Sequence, residues 1–192
     1  MDNGFVKQRR LADATLNLAQ RIGLQLTAAE TATQLMVEDF TVCRQIEQTE
    51  YVNWLFQVKS KFGIEKLDKF SNLENKETLW VVSEIVGESN ISKRVRMVKH
   101  ILKIAKQCKE AQNYNSMFAI VSGLNHTAVS RLKQTWERVP EKYSKLLSDL
   151  NLIMDPSRNF SRYRNMIKSE TVKPPLIPVY PMVAKDLTFI DI

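Results

Sequence analysis

The 192-residue chain is long enough for one domain with a substantial core, and 44% hydrophobic against 26% charged residues is ordinary globular composition. No apolar run approaches the roughly 18 residues of a membrane span, and MDNGFVKQRR lacks a signal-peptide core. Cys43 and Cys108 show no CxxC spacing, so a reduced cytoplasmic protein is expected. A net charge of +7 points to an acidic partner: nucleic acid, acidic lipid or an acidic protein face.

Residues 5–22 read as a loosely periodic amphipathic helix through Leu11, Leu16, Leu18 and Ile22. Thr27 is the predicted cap of a helix through Leu35 and Met36. Thr49 is the predicted cap of the next, where Tyr51, Trp54 and Leu55 bury one side. Ile64 to Val86 reads as one long helix whose Leu67, Phe70, Leu73, Trp80, Val81 and Ile85 follow the helical repeat, interrupted at Glu74 to Glu77. Ser92 is predicted to cap the cleanest amphipathic helix. Val95, Val98, Leu102, Ala105 and Cys108 form one side of it; Arg96, Lys99, Lys103, Lys106 and Lys109 form another.

The stretch NYNSMFAIVSGLNHTAVSRLKQTWERVP, Asn113 to Pro140, is the most informative. Met117, Phe118, Ile120, Val121 and Leu124 leave no solvated face, so this helix must be buried. A break at Gly123-Leu124-Asn125 and a second helix from Thr127, stopping before Pro140, complete the reading. Pro140 then suits the first turn of a helix bearing Tyr143, Leu146, Leu147, Leu150 and Ile153. Asp155-Pro156 is a turn, and Ser157 the predicted cap of a helix with Phe160, Tyr163 and Ile167. Pro174, Pro175 and Pro178 enforce an extended segment, and Pro181 opens a last helix through Val183, Leu187 and Ile190. With five glycines and no alternating β-branched run, the fold class is all-α.

Reaction chemistry has little to use. His100 and His126 lack metal-ligand spacing to any cysteine or carboxylate, and there is no glycine-rich phosphate loop or GxSxG turn. His100 reads as a surface residue. Glu84, inside WVVSEIV, is the candidate buried acid, paired with an arginine such as Arg131. No metal, cofactor or covalent catalysis is expected.

The lysines of 92–109 are either a binding face or a solvated helix side. No aromatic residues interleave with them, which removes base stacking. TAVSRLKQTWERV imitates a recognition helix, but Val129, Leu132 and Trp136 commit one side to the core, and no nucleic-acid partner is expected. Phe70, Asn75, Phe118, Asn125, Asn159 and Phe160 mix large apolar groups with neutral amides, the composition of a protein-recognition pocket. For each aromatic taken alone, a core position is the simpler reading.

NYNSMFAIVSGLN followed by SRLKQTWE resembles the RasGEF catalytic domain, which strips GDP from Ras-family GTPases. Further islands in the same order are ATQLMVEDF, EQTEYVNWLF, ETLWVVSEIV, SKRVRMVKHILKIAKQCKE, DPSRNFSRYRN and PPLIPVYPMVAKDLTFID. The wording is most similar to the Rap-directed exchange factors that carry a PDZ domain. The likeness covers residues 24–192, leaving 1–23 as an extension of unknown role.

The resemblance implies an irregular multi-helix bowl that grips switch II of a GTPase, while a helical hairpin displaces switch I. By that resemblance, Phe70, Asn75, Phe118, Asn125, Asn159, Phe160, Val179 and Tyr180 are GTPase-binding positions. Leu187, Thr188, Asp191 and Ile192 lie on the first helix of the catalytic hairpin, and Trp80, Arg131 and Trp136 are scaffold. Two departures stand out: Glu74 where relatives carry an apolar or small residue, and Ile192 where many place an acid.

The chain also stops at that hairpin helix, so a fragment with weak exchange activity is expected. The implied partner is a Ras-family GTPase, Rap first, with weak acidic-membrane association through 92–109 and recruitment there from the cytoplasm. The alternatives are a basic module for nucleic acid or acidic lipid, and an inactive GTPase-binding fragment.

Overall fold

The helix Tyr114–Asn125 has almost nothing polar to show to water, and the rest of the fold is arranged to cover it. The computed structural model describes residues 26–58, 63–169 and 174–190, and among these it contains ten helices. They are α1 (Ala28–Cys43), α2 (Gln48–Leu55), α3 (Glu65–Gly87), α4 (Ile91–Glu110), α5 (Tyr114–Asn125), α6 (Thr127–Ser130), α7 (Lys133–Trp136), α8 (Glu141–Ile153), α9 (Ser157–Ile167) and α10 (Tyr180–Ile190). The all-α expectation holds. Residues 1–23, including the expected 5–22 helix, and both Asp191 and Ile192 lie outside the described residues.

Helix α5 packs along α3 and α4, with α1 laid across the same pair. Met117, Ile120, Val121 and Leu124 are fully buried, each adding about 1.5–3 kcal/mol of transfer free energy. Two of the expected helix limits are met closely. Thr27 forms a capping box with Glu30, its hydroxyl accepting from the Glu30 N–H at 3.2 Å. The long helix runs Glu65–Gly87 without interruption, because Glu77 is buried instead of marking a polar break.

Other local readings are corrected. Asn90, not Ser92, caps α4, its Oδ1 accepting from the Lys93 N–H at 3.0 Å. Helix α2 begins after Glu47 with no side-chain cap, not at Thr49. Gly123 is no break: α5 continues to Asn125, and the missing side chain makes room for α3. A Cβ on Gly123 would sit 2.7 Å from Val81 Cβ and 2.9 Å from the Thr78 carbonyl oxygen. The helix expected from Thr127 is two single turns, α6 and α7, folded together as the Trp136 indole N–H donates to the Val129 carbonyl at 3.0 Å. No continuous recognition helix exists there.

Polar groups inside this seam form one connected set. Asp39 of α1, Glu77 of α3 and Asn113, Asn115 and Ser116 at the start of α5 are all buried. The Ser116 hydroxyl lies 2.9 Å from Asp39 Oδ2 and 3.0 Å from Glu77 Oε1, and it accepts from the Asn113 amide at 2.9 Å. A hydroxyl donates once and accepts twice, so only one carboxylate receives its proton and the other must carry its own. Burial pushes both carboxyls above the usual range, Glu77 furthest, with the Asp39 charge adding to its rise. Of the two, Glu77 is the one driven further toward its protonated form. Glu84, by contrast, is half-buried and makes no ion pair with the exposed Arg131. His100 is also half-buried, with Nε2 enclosed and unpartnered, and burial and Lys103 depress its pKa.

The proline segment docks as an extended strap on the α4–α5 junction. Tyr114 N–H donates to the Ile177 carbonyl at 3.0 Å, and Ile177 N–H donates to the Gln112 carbonyl at 3.0 Å. It delivers Val179 and Tyr180 to the core ahead of α10.

Two predictions follow from the seam. Gly123→Ala should cost about 1–3 kcal/mol in urea denaturation, because α3 backbone must yield; an unchanged midpoint contradicts the close contact. Raised acid pKa values mean that the folded state binds more protons, so stability present near pH 4.5 is lost as pH rises. Glu74, pushed up to about 7 by burial, extends that window to neutrality, while Glu38 and Cys108 also face the pair. Unfolding free energy, read by urea denaturation, should fall from pH 5 to 8 by at most about 1.4 kcal/mol per pH unit for each group, and Glu77→Gln should flatten the slope. An identical slope in the variant contradicts the assignment.

Candidate functional site

Helix α5 has one end in the core and the other at the surface. Phe118 is half-buried on its outer side, and Asn125, its last residue, is exposed two turns further on. Across from them stand α8 and the turn into α9. Together Phe118, Asn125, Asn151, Leu152, Met154 and Phe160 line an open groove of about 490 Å³. It is apolar along its walls and carries amides at one rim, as a surface for another protein does.

The rim amides hold one another. Asn125 Nδ2 donates to Asn151 Oδ1 at 2.7 Å, with a longer 3.5 Å return from Asn151 Nδ2. Leu152 projects from the same wall and is 43% exposed, a large apolar side chain without a core partner to cover it. Neither Asn151 nor Leu152 was singled out from the sequence, because α8 was read by its buried stripe. An apolar residue off that stripe was the available signal.

Phe160 reaches the groove by an unusual backbone path. Arg158, Asn159 and Phe160 have φ of 51°, 55° and 56°, a left-handed turn within the first part of α9. Asparagine tolerates that region; arginine and phenylalanine do so at a cost. Ser157 does not cap the helix as expected. Its N–H and hydroxyl instead donate to Asp155 at 2.9 and 2.7 Å, fixing the turn from the preceding side. From the following side, Arg164 Nε donates to the Asn159 carbonyl at 2.8 Å.

The remaining sequence candidates sit elsewhere. Phe70 is 2% exposed and packs edge-to-face on Tyr180, with centroids 5.8 Å apart. Val179 is 1% and Tyr180 9% exposed; Val179 N–H donates to the Tyr163 hydroxyl at 3.1 Å, and Tyr180 N–H to Asn115 Oδ1 at 3.4 Å. All three are in the core and do not face solvent. Asn75 is exposed on α3 and does not line the groove. Asn159 is exposed beside Phe160. Leu187 is half-buried and Thr188 exposed on α10, which packs against α3.

Among the described residues no cluster of His, Cys, Asp or Glu could hold a metal ion, and no helix is long and apolar enough to cross a membrane. Cys108 is buried, its thiol pushed well up by desolvation, and so unsuited to nucleophilic work.

The helical fold is built round a buried α5 whose exposed end opens into this groove. The model of the RasGEF domain matches residues 30–192, and the chain belongs to the RasGEF domain family. Among curated relatives, it is 44% identical over 220 residues to Rap guanine nucleotide exchange factor 6 of Homo sapiens. It is 39% identical over 220 residues to the Rap guanine nucleotide exchange factor of Caenorhabditis elegans, and 39% over 196 residues to Rap guanine nucleotide exchange factor 5 of Mus musculus. Each match covers 97% of this chain but only 14%, 15% and 24% of the respective relative.

If the left-handed turn holds Phe160 as described, Arg158→Gly should raise stability by about 1 kcal/mol, read as a higher melting temperature. A lower one contradicts that backbone.

Proposed function

We propose that this chain binds a Ras-family small GTPase, with Rap the first choice, and promotes release of GDP without covalent chemistry. The observation that carries the reading is the groove of Phe118, Asn125 and Phe160 in a chain of the RasGEF family. In this reading the groove takes switch II, while α10, bearing Leu187 and Thr188 and leading to Asp191 and Ile192, displaces switch I. Phe70, Val179 and Tyr180 serve from inside the wall, holding α10 to α3. Release is accelerated because the groove binds the nucleotide-free GTPase more tightly than the GDP-bound one.

Rap is favoured by the names of the relatives, each a Rap exchange factor. The exposed Arg96, Lys103 and Lys106 of α4 support a weak association with acidic membrane, at about 1 kcal/mol for each cation near the lipid.

Release of a fluorescent GDP analogue from Rap, Ras and Ral tests the reading. Acceleration is expected, greatest on Rap. Asn125→Ala should slow it about tenfold, the loss of one charge-free but oriented contact at the centre of an interface. Lys99/Lys103/Lys106→Ala should leave release from GTPase in solution largely intact. The reverse pattern would support a basic binding module in place of an exchange factor.

A further inference from the structure

Two consecutive residues of α9 hold α10 at separate points. Tyr163 turns inward, and its hydroxyl accepts the Val179 N–H just before the helix begins. Arg164 turns the other way along α10, and its guanidinium donates to Asp186 through Nη1 at 2.7 Å and Nη2 at 2.6 Å. The same guanidinium gives its Nε proton to the Asn159 carbonyl in the left-handed turn, at 2.8 Å. A planar fork with all three nitrogens engaged has no rotational freedom left, which a lysine in its place would retain. Among the described residues this is the one ion pair made by α10.

We propose that Arg164 is a positioning residue that couples the Asn159–Phe160 wall of the groove to α10, so that filling the groove sets the placement of the displacing helix. The proposal rests on the reading of the groove as the GTPase site. When a partner presses on Phe160, the turn moves as a unit, because the Asn159 carbonyl and the Asp155 carboxylate clamp it on both sides. The guanidinium moves with that carbonyl and carries Asp186 with it, since a bidentate pair transmits displacement in its own plane. Arg164 itself does not line the groove, and Asp186→Asn breaks its hold on α10 while leaving in place the Asn159 bond that fixes the Phe160 turn.

Arg164→Lys, Asp186→Asn and the double variant of the full chain separate binding from displacement. Two quantities are measured: affinity for nucleotide-free Rap, and the GDP-release rate constant at saturating chain. Each single variant should lower the saturating rate about tenfold, a scale set by how steeply misplacement of an acting group costs rate. Affinity should change less than about threefold in Asp186→Asn, which keeps the Asn159 clamp, and the double variant should release GDP no more slowly than either single one, since one coupled unit is broken once. Asn125→Ala should show the opposite split, weakening affinity first. Unchanged release by the single variants, additive losses in the double, or affinity and rate falling together in Asp186→Asn would each overturn the coupling while leaving the exchange reading standing. A wild-type chain that neither binds Rap nor releases its GDP would remove the exchange reading, and the coupling with it.

Discussion

A serine hydroxyl has one proton to give, and Ser116 stands between two carboxyl groups that both need it. One proton must be supplied by the carboxyls themselves, with the Asn113 amide closing the set, and burial drives Glu77 further toward its protonated form than Asp39. That set joins α1, α3 and α5 at one depth in the core, where each group is too buried to turn to water. It fixes the axial position of α5, and the close approach of Gly123 to Val81 and Thr78 fixes the spacing of α3 against its far end. The Thr78 hydroxyl, donating to the Ala119 carbonyl at 3.1 Å, adds a third tie along the seam. With both ends of the contact set, Phe118 and Asn125 can emerge only where they do, on the outer side and the tip of α5.

The same polar set also reaches α10. Asn115 donates to Asp39 and accepts the Tyr180 N–H, so the first residue of α10 is tied to the buried acids. Tyr180 then stacks its edge on Phe70 of α3, and Met182 enters the main core. The groove and the helix proposed to displace switch I are thus both referenced to α5. On the proposed exchange reading, such a frame is needed, because the binding free energy is useful only if the two surfaces keep their separation.

Sequence periodicity was enough for most of the architecture. The long helix, the basic helix and the buried α5 show their repeats plainly, and Thr27 with Glu30 gives a local capping pattern that needs no tertiary information. What periodicity could not supply was depth. Glu77 and Glu84 lie on nearly the same face of α3, two turns apart, yet Glu77 meets Ser116 and Glu84 does not. Gly123 reads as a breaker in isolation, and only the neighbouring α3 gives its real reason. Asn90 and Ser92 are both competent caps, and the choice depends on how the chain leaves α3. For the site, the residue types were legible in Phe118, Asn125 and Phe160, which the structure brings to one groove. Phe70, Val179 and Tyr180 carry the same apolar character but are enclosed, because edge-to-face packing and the strap place them inside. Arg164 depends on long-range geometry and leaves no short-range pattern, while the α8 wall leaves only one sign, the apolar Leu152 off the buried stripe.

Backbone hydrogen exchange on the chain, alone and with nucleotide-free Rap, tests the central claim most directly. The account predicts slowed exchange at residues 118–126 and 148–161, the two walls of the groove, with residues 93–106 on the basic face unchanged. Slowing confined to 93–106, with both walls exchanging as in the free chain, would contradict it.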